Sequence, residues 1–207
     1  PLGRRGGAQR VEHGAGHLGA GKVGVGSEDE DVAGGTVRHG ELGYLGRTSA
    51  PISLTRMRIF DTLADLQALV GQPLGHSDWI TVDQSRVNAF AEATEDRQWI
   101  HVDPERAQAG PFGGPIAHGF LTLSLIPYFF ETGFAVRETR MVVNYGLNKV
   151  RFTAPVRVGS RLRAAFKLLA MDDVAGGAVQ LTVEVAVEAE GTPKPVCVAE
   201  SLARHYR

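Results

Sequence analysis

Residues 181–190, LTVEVAVEAE, alternate apolar and polar side chains over ten positions, a pattern that only a half-buried β-strand can sort into one dry and one wet face. A strand of that length cannot stand alone, so the chain must supply partners for its edges and apolar cover for its dry face. It belongs to the run Ala178 to Ala189, and four further runs rich in Val, Leu and Phe offer the partners: Met141 to Tyr145, Asn148 to Phe152, Ser160 to Ala170 and Val196 to His205, all separated by Gly, Pro and Asp. The cover is FLTLSLIPYFF, residues 120–130, apolar nearly all round. It reads as a helix opening near His118-Gly119 and buried on most sides, which Pro127 should kink or end. The expected class is α+β, with a long antiparallel curved sheet against one buried helix.

Upstream, Asp61 or Thr62 can cap a short helix with Leu63, Leu66, Leu69 and Val70 on one face and Gly71 as its stop. A strand is expected at Asp78–Val82. Asp83 or Ser85 then caps a helix carrying Val87, Phe90, Ala91 and Thr94 at i, i+3, i+4 and i+7, ending near Glu95. Asp103 before Pro104 reads as the N-cap of another helix with proline at its first position.

The first 56 residues differ in kind. They hold 14 of the 26 glycines and one aromatic, Tyr44, whereas every Phe and both Trp lie from Phe60 onward. Such a segment lacks the apolar mass to offset backbone ordering, about 1–2 kcal/mol per residue, so residues 1–56 are expected to be a disordered Gly-rich extension. Met57 is the expected native start of a single domain over 57–207. The acidic run Glu28–Asp31 and His13, His17 and His39 could be read as a metal-binding tail, a reading that composition alone does not favour.

A net charge of −1 with interspersed signs leaves no basic footprint for nucleic acid. The single cysteine, Cys197, excludes an internal disulfide, reads as a small buried hydrophobe and fits a reducing, cytoplasmic setting. No run approaches the roughly 20 apolar residues that span a bilayer, and no apolar core follows the basic N-terminus as in a secretory signal.

Chemistry concentrates in FAEATEDRQWIH, residues 90–101. Asp96 and His101, five positions apart, would lie about 140° apart on one continuous helix and never meet. Because the helix should end before Asp96, the intervening turn can fold both toward one pocket. A carboxylate beside an imidazole can fix its tautomer and share a water with it, the equipment needed to add water to a polarised double bond.

FAEATEDRQWIH, followed by five residues and Ala107, and then FGGPIAHGFLTLSL together resemble the signature of the MaoC-like (R)-specific enoyl-CoA hydratases. That signature has an aromatic, a small-residue turn, Asp-x-Asn-Pro-aliphatic-His, and a downstream Ile-x-His-Gly heading a helix. NKVRFTAPVRVGSRLR is similar to the family's strand-turn-strand. The resemblance covers most of residues 74–207. It implies a single hot-dog fold, a long antiparallel sheet wrapped around a central helix, and a homodimer. It also implies that Asp96 and His101 are the catalytic pair and that the Gly119 backbone N–H is the oxyanion donor. The substrate implied is a trans-2-enoyl thioester on CoA or acyl carrier protein, hydrated to the (3R)-hydroxyacyl thioester in fatty-acid metabolism. No cofactor is implied, because CoA is part of the substrate. Where the family has Asn-Pro, this chain has Gln98-Trp99, as in a subgroup similar to nodulation protein N. Gln98 is then a candidate helper, and Trp99, Leu121 and Leu125 are candidates for lining the acyl pocket.

Other readings of the same residues exist. A hot-dog thioesterase would direct water at C1 instead of Cβ, and a non-catalytic acyl-CoA binder would form one half of a heterodimer. His101, Asp103 and His118 match no familiar metal-ligand spacing. His118 is expected to pack or hydrogen-bond at the head of its helix.

Overall fold

The computed structural model describes residues 57–207; the expectation of a disordered segment at 1–56 lies outside the described residues. The chain opens with a short strand, β1 (Arg58–Phe60), then one turn of helix, α1 (Ala64–Gln67), and strands β2 (Pro73–His76) and β3 (Ile80–Thr81). Leu63 and Leu66 are buried as the periodicity requires, whereas Val70, expected on the same face, lies past the end of α1 and is exposed; Gly71, at φ +83°, ends the segment in the left-handed region that glycine enters without steric cost. The strand expected at Asp78–Val82 shrinks to two residues, whereas β2 has no counterpart in the sequence reading.

Next come α2 (Gln84–Thr94), α3 (Trp99–Val102) and α4 (Pro104–Gln108). Asp83 caps α2, its Oδ1 accepting from the Arg86 amide at 2.9 Å, and Asp103 caps α4 by accepting from the Arg106 amide at 3.0 Å with Pro104 behind it. The stretch between Asp96 and His101, expected as a loop, contains the single turn α3.

The expected central helix is overturned. Residues 119–133 form two short helices, α5 (Gly119–Ser124) and α6 (Ile126–Gly133), which meet at Leu125. Pro127 sits in the first turn of α6, where its missing N–H is tolerated; extended backward as one helix, its ring would strike the carbonyl of residue 123.

The remaining strands are β4 (Phe134–Val136), β5 (Met141–Phe152), β6 (Arg161–Val174), β7 (Ala178–Ala189) and β8 (Cys197–Tyr206). The main sheet runs β2-β6-β7-β8-β5, antiparallel throughout, with β3 also paired to β6, while β1 and β4 form a separate parallel pair. Its two ends, β2/β3 and β5, do not pair with each other, so the sheet is extended and open. The hot-dog expectation of a sheet curled around one long helix is therefore corrected to a mixed α+β fold with an extended antiparallel sheet and two short helices.

Alternation in β6, β7 and β8 turns Leu162, Ala164, Phe166 and Leu168, then Leu181, Val183, Val185 and Val187, then Cys197 and Ala199 inward. Leu121, Leu125, Ile126 and Phe129 join the same core, each such side chain contributing about 1.5–3 kcal/mol when fully buried. Phe130 stacks on Phe166 at 5.0 Å, and Phe134 meets the same ring edge-on at 5.7 Å. Cys197 is fully buried and its thiol is pushed up to about 11 by desolvation, an inert core residue. Among the described residues no helix is long and apolar enough to cross a membrane.

Candidate active site

The C-terminus of α2, the turn α3 and the head of α5 converge. Helix α2 stops at Glu95, which adopts φ 60° and ψ 11°, the left-handed conformation. That corner turns the chain out of the helix and presents Asp96, which is exposed. Five residues on, α3 carries His101 inward to 6% exposure. A carboxylate oxygen of Asp96 and a ring nitrogen of each of His101 and His118 all lie within 4.8 Å of one another.

Both imidazoles are tied to the main chain. His101 Nδ1 is 2.7 Å from the Ile116 carbonyl oxygen, and His118 Nε2 is 2.9 Å from that of Asp96. A carbonyl only accepts, so each named nitrogen carries the proton and the opposite one, Nε2 of His101 and Nδ1 of His118, is bare when the ring is neutral. The rings lie face to face, centroids 3.8 Å apart and planes 26° apart, with Phe90 packed on His118 at 5.0 Å. Burial holds His101 below the ordinary histidine range and the adjacent His118 acts in the same direction, whereas the Ile116 bond and the Asp96 charge pull it back up.

A carboxylate with two histidines is also a metal-ligand set, and it includes Asp96 rather than Asp103, whose side chain caps α4. The stacking argues against that use. An imidazole lone pair lies in its ring plane, and two planes only 26° apart with centroids separated by 3.8 Å do not meet within the roughly 2.0–2.1 Å metal–nitrogen distance of both rings. One ring would have to turn before both could reach an ion.

Gly119 is the first residue of α5, and the N-cap His118 makes no side-chain capping bond. Its amide is thus one of the N–H groups a helix leaves without an internal partner. A Cβ at 119 would come within 3.0 Å of the Phe152 ring. The aromatic pair Phe120 and Phe152, centroids 5.7 Å apart, stands beside this amide, both rings partly exposed. Neither was singled out from the sequence, because an exposed Phe in a strand and one on a helix carry no pattern linking them.

The other candidates fall in different places. Gln98 is exposed and precedes α3, its carbonyl accepting from the His101 amide at 2.9 Å, with no capping bond from its side chain. Trp99 is half-buried at the α3–α4 corner, against Gly110 and under the Arg106 guanidinium at 4.5 Å. Leu121 and Leu125 are buried in the core. Gln84 was missed: its Nε2 donates to the His101 carbonyl at 2.7 Å and to Asn88 Oδ1 at 2.9 Å, so α2 grips the main chain under the imidazole. A cavity of about 410 Å³ lined by Phe130, Val142, Leu181 and His205 is not lined by Asp96, His101 or Gly119.

Residues 65–189 match the family model for the MaoC-like domain. The chain belongs to the MaoC-like family. Among MaoC-like relatives, 3-hydroxyacyl-thioester dehydratase Z of Mycobacterium tuberculosis is 56% identical over 149 residues, covering 72% of this chain and 99% of that one. Nodulation protein N of Rhizobium leguminosarum bv. viciae is 49% identical over 140 residues, 67% of this chain and 87% of its own length. The crystal structure of a MaoC-like dehydratase from Rhodospirillum rubrum shares the fold at TM-score 0.58 and 22% identity, covering 70% of this chain and 97% of that one.

Proposed function

We propose that this protein is a hydro-lyase that reversibly adds water to trans-2-enoyl thioesters, on CoA, giving the (3R)-3-hydroxyacyl thioester in fatty-acid metabolism. The observation that carries the reading is the approach of the Asp96 carboxylate to a buried imidazole, His101, whose Nε2 is left bare by the Nδ1 bond to Ile116. The similarity to a 3-hydroxyacyl-thioester dehydratase supports the thioester as substrate.

In this mechanism one water donates both hydrogens, to the Asp96 carboxylate and to His101 Nε2, leaving its lone pairs free for Cβ. As the C–O bond forms, the double-bond electrons shift toward the thioester carbonyl, and the Gly119 amide donates to the oxygen that gains charge. The proton removed from water returns from the same pair to Cα on the same face, so the elements of water add syn and nothing else is consumed. Gln98, exposed just before α3, is a candidate helper, with Trp99, Leu121 and Leu125 as candidate lining of the acyl pocket. The working unit in this reading is a homodimer. The edge strand β5 supports it, exposed over nearly its whole length with Met141, Val142, Val143, Tyr145 and Leu147 bare to solvent.

The test follows crotonyl-CoA by loss of enoyl absorbance, free thiol release and chiral analysis of the product. Hydration with the thioester intact and an R product is the expected result; thiol release would point instead to a thioesterase. Asp96→Asn and His101→Ala, purified and folded, should each lose nearly all activity, and retention in either would overturn the assignment.

A further inference from the structure

We infer that His118 is a positioning residue for the Asp96 carboxylate, tying the turn that carries it to the head of α5 through the Nε2–H bond to the Asp96 carbonyl. This rests on the reading of Asp96 as the group that takes the water's proton. Three observations converge on the ring. It is only 2% exposed, and its Nδ1 is buried with no hydrogen-bond partner among the described residues. A bare buried acceptor costs stability that an apolar side chain of similar size would not, so packing alone does not account for a histidine here. Among the described residues the ring makes one hydrogen bond, the 2.9 Å contact with the Asp96 carbonyl oxygen.

The segment so held is the one that needs holding. Asp96 follows a left-handed non-glycine residue and lies in the irregular stretch between α2 and α3. Without an anchor, a corner of that kind can relax toward commoner backbone angles and swing the carboxylate with it. The same ring stacks on His101 and directly precedes Gly119. One side chain therefore sets the carboxylate, the imidazole and the amide donor relative to one another. His118 need not touch substrate to matter, because its effect passes through Asp96.

The experiment compares His118→Leu, which keeps bulk and loses the donor, with His118→Gln, whose amide N–H has a reach similar to Nε2. Both are assayed as the full chain on crotonyl-CoA, with melting temperatures recorded and Asp96→Asn run alongside. The Leu variant should lose roughly 10- to 100-fold in kcat, the scale of a misplaced reacting group, with KM changed by less than about 3-fold, and the Gln variant should recover most of that loss. Wild-type kcat in the Leu variant, or equal losses in Leu and Gln, overturns the proposal. If Asp96→Asn itself keeps activity, the acid–base reading fails instead, so the two failures are distinguishable. Should the Leu variant not fold, nitrogen-15 NMR of the histidine rings in the unsubstituted protein decides. A His118 ring protonated at Nε2 and bare at Nδ1 supports the bond, and the opposite tautomer removes it.

Discussion

Glu95 is the only non-glycine residue with positive φ among those described. Its side chain reaches Arg97, which also pairs with Glu92 at 3.0 Å, but all three groups are well exposed and such pairs contribute little. The left-handed backbone, by contrast, costs an L-residue about 1–2 kcal/mol. Glu95→Gly removes that cost while adding freedom to the unfolded chain, so a net gain of roughly 0.5–1 kcal/mol in urea denaturation is expected. A loss of stability would mean that the exposed ion pairs outweigh the backbone term. The residue-level logic of the pair was legible in the sequence, since an Asp and a His separated by the end of a helix are free to meet. His118 packs and hydrogen-bonds at the head of its helix as expected, but its partner, the Asp96 carbonyl, and the bond from Gln84 to the His101 carbonyl were not legible, because a carbonyl leaves no trace in the identity of the residue that bears it.

At the scale of elements, the sequence was most readable where local chemistry and burial agree. The caps Asp83 and Asp103 and the alternation in β6, β7 and β8 required no tertiary information. The pieces it did not reveal are those defined by their neighbours. Strand β2 is four residues long and exists through its pairing with β6. Two runs expected on either side of Gly146 are one strand, β5, because shifts of register at Asn144/Gly146 and Leu147/Val150 absorb the interruption against β8. The break at Leu125 was half-visible: Pro127 marked it, but both fragments being apolar concealed how short each would be. Gly133, the last residue of α6, is a case where packing sets the residue. A Cβ there would come within 2.3 Å of the Phe166 ring, itself 2% exposed and held between Phe130 and Phe134. Gly133→Ala should therefore destabilise by roughly 1–3 kcal/mol as an overpacked core does; an unchanged urea midpoint would show that the aromatic cluster can yield.

Over the whole molecule, stability should depend on pH through a histidine remote from the chemistry. His205, on β8, is 7% exposed with Thr139 Oγ1 3.3 Å from its Nδ1, and burial pushes it down to about 4. In the unfolded chain it titrates near its ordinary 6.5. Between those values the unfolded state binds more protons, so stability is fully present above about 6.5 and is lost as pH falls toward 4. From pH 7.5 to 5.0 that amounts to roughly 2 kcal/mol, and His101, shifted the same way, adds to it. His205→Leu should shrink the difference in urea stability between the two pH values by about that amount; an undiminished slope would assign the acid sensitivity elsewhere. The ties around the imidazoles of His101 and His118 share one trait. They end on the peptide oxygens of Ile116, Asp96 and His101, and a peptide oxygen survives almost any substitution of its own side chain. Side chains nearby, Ile116 among them, can drift while the rings keep their grip, so a lineage built on this scaffold can retune what it admits without dismantling what holds its histidines.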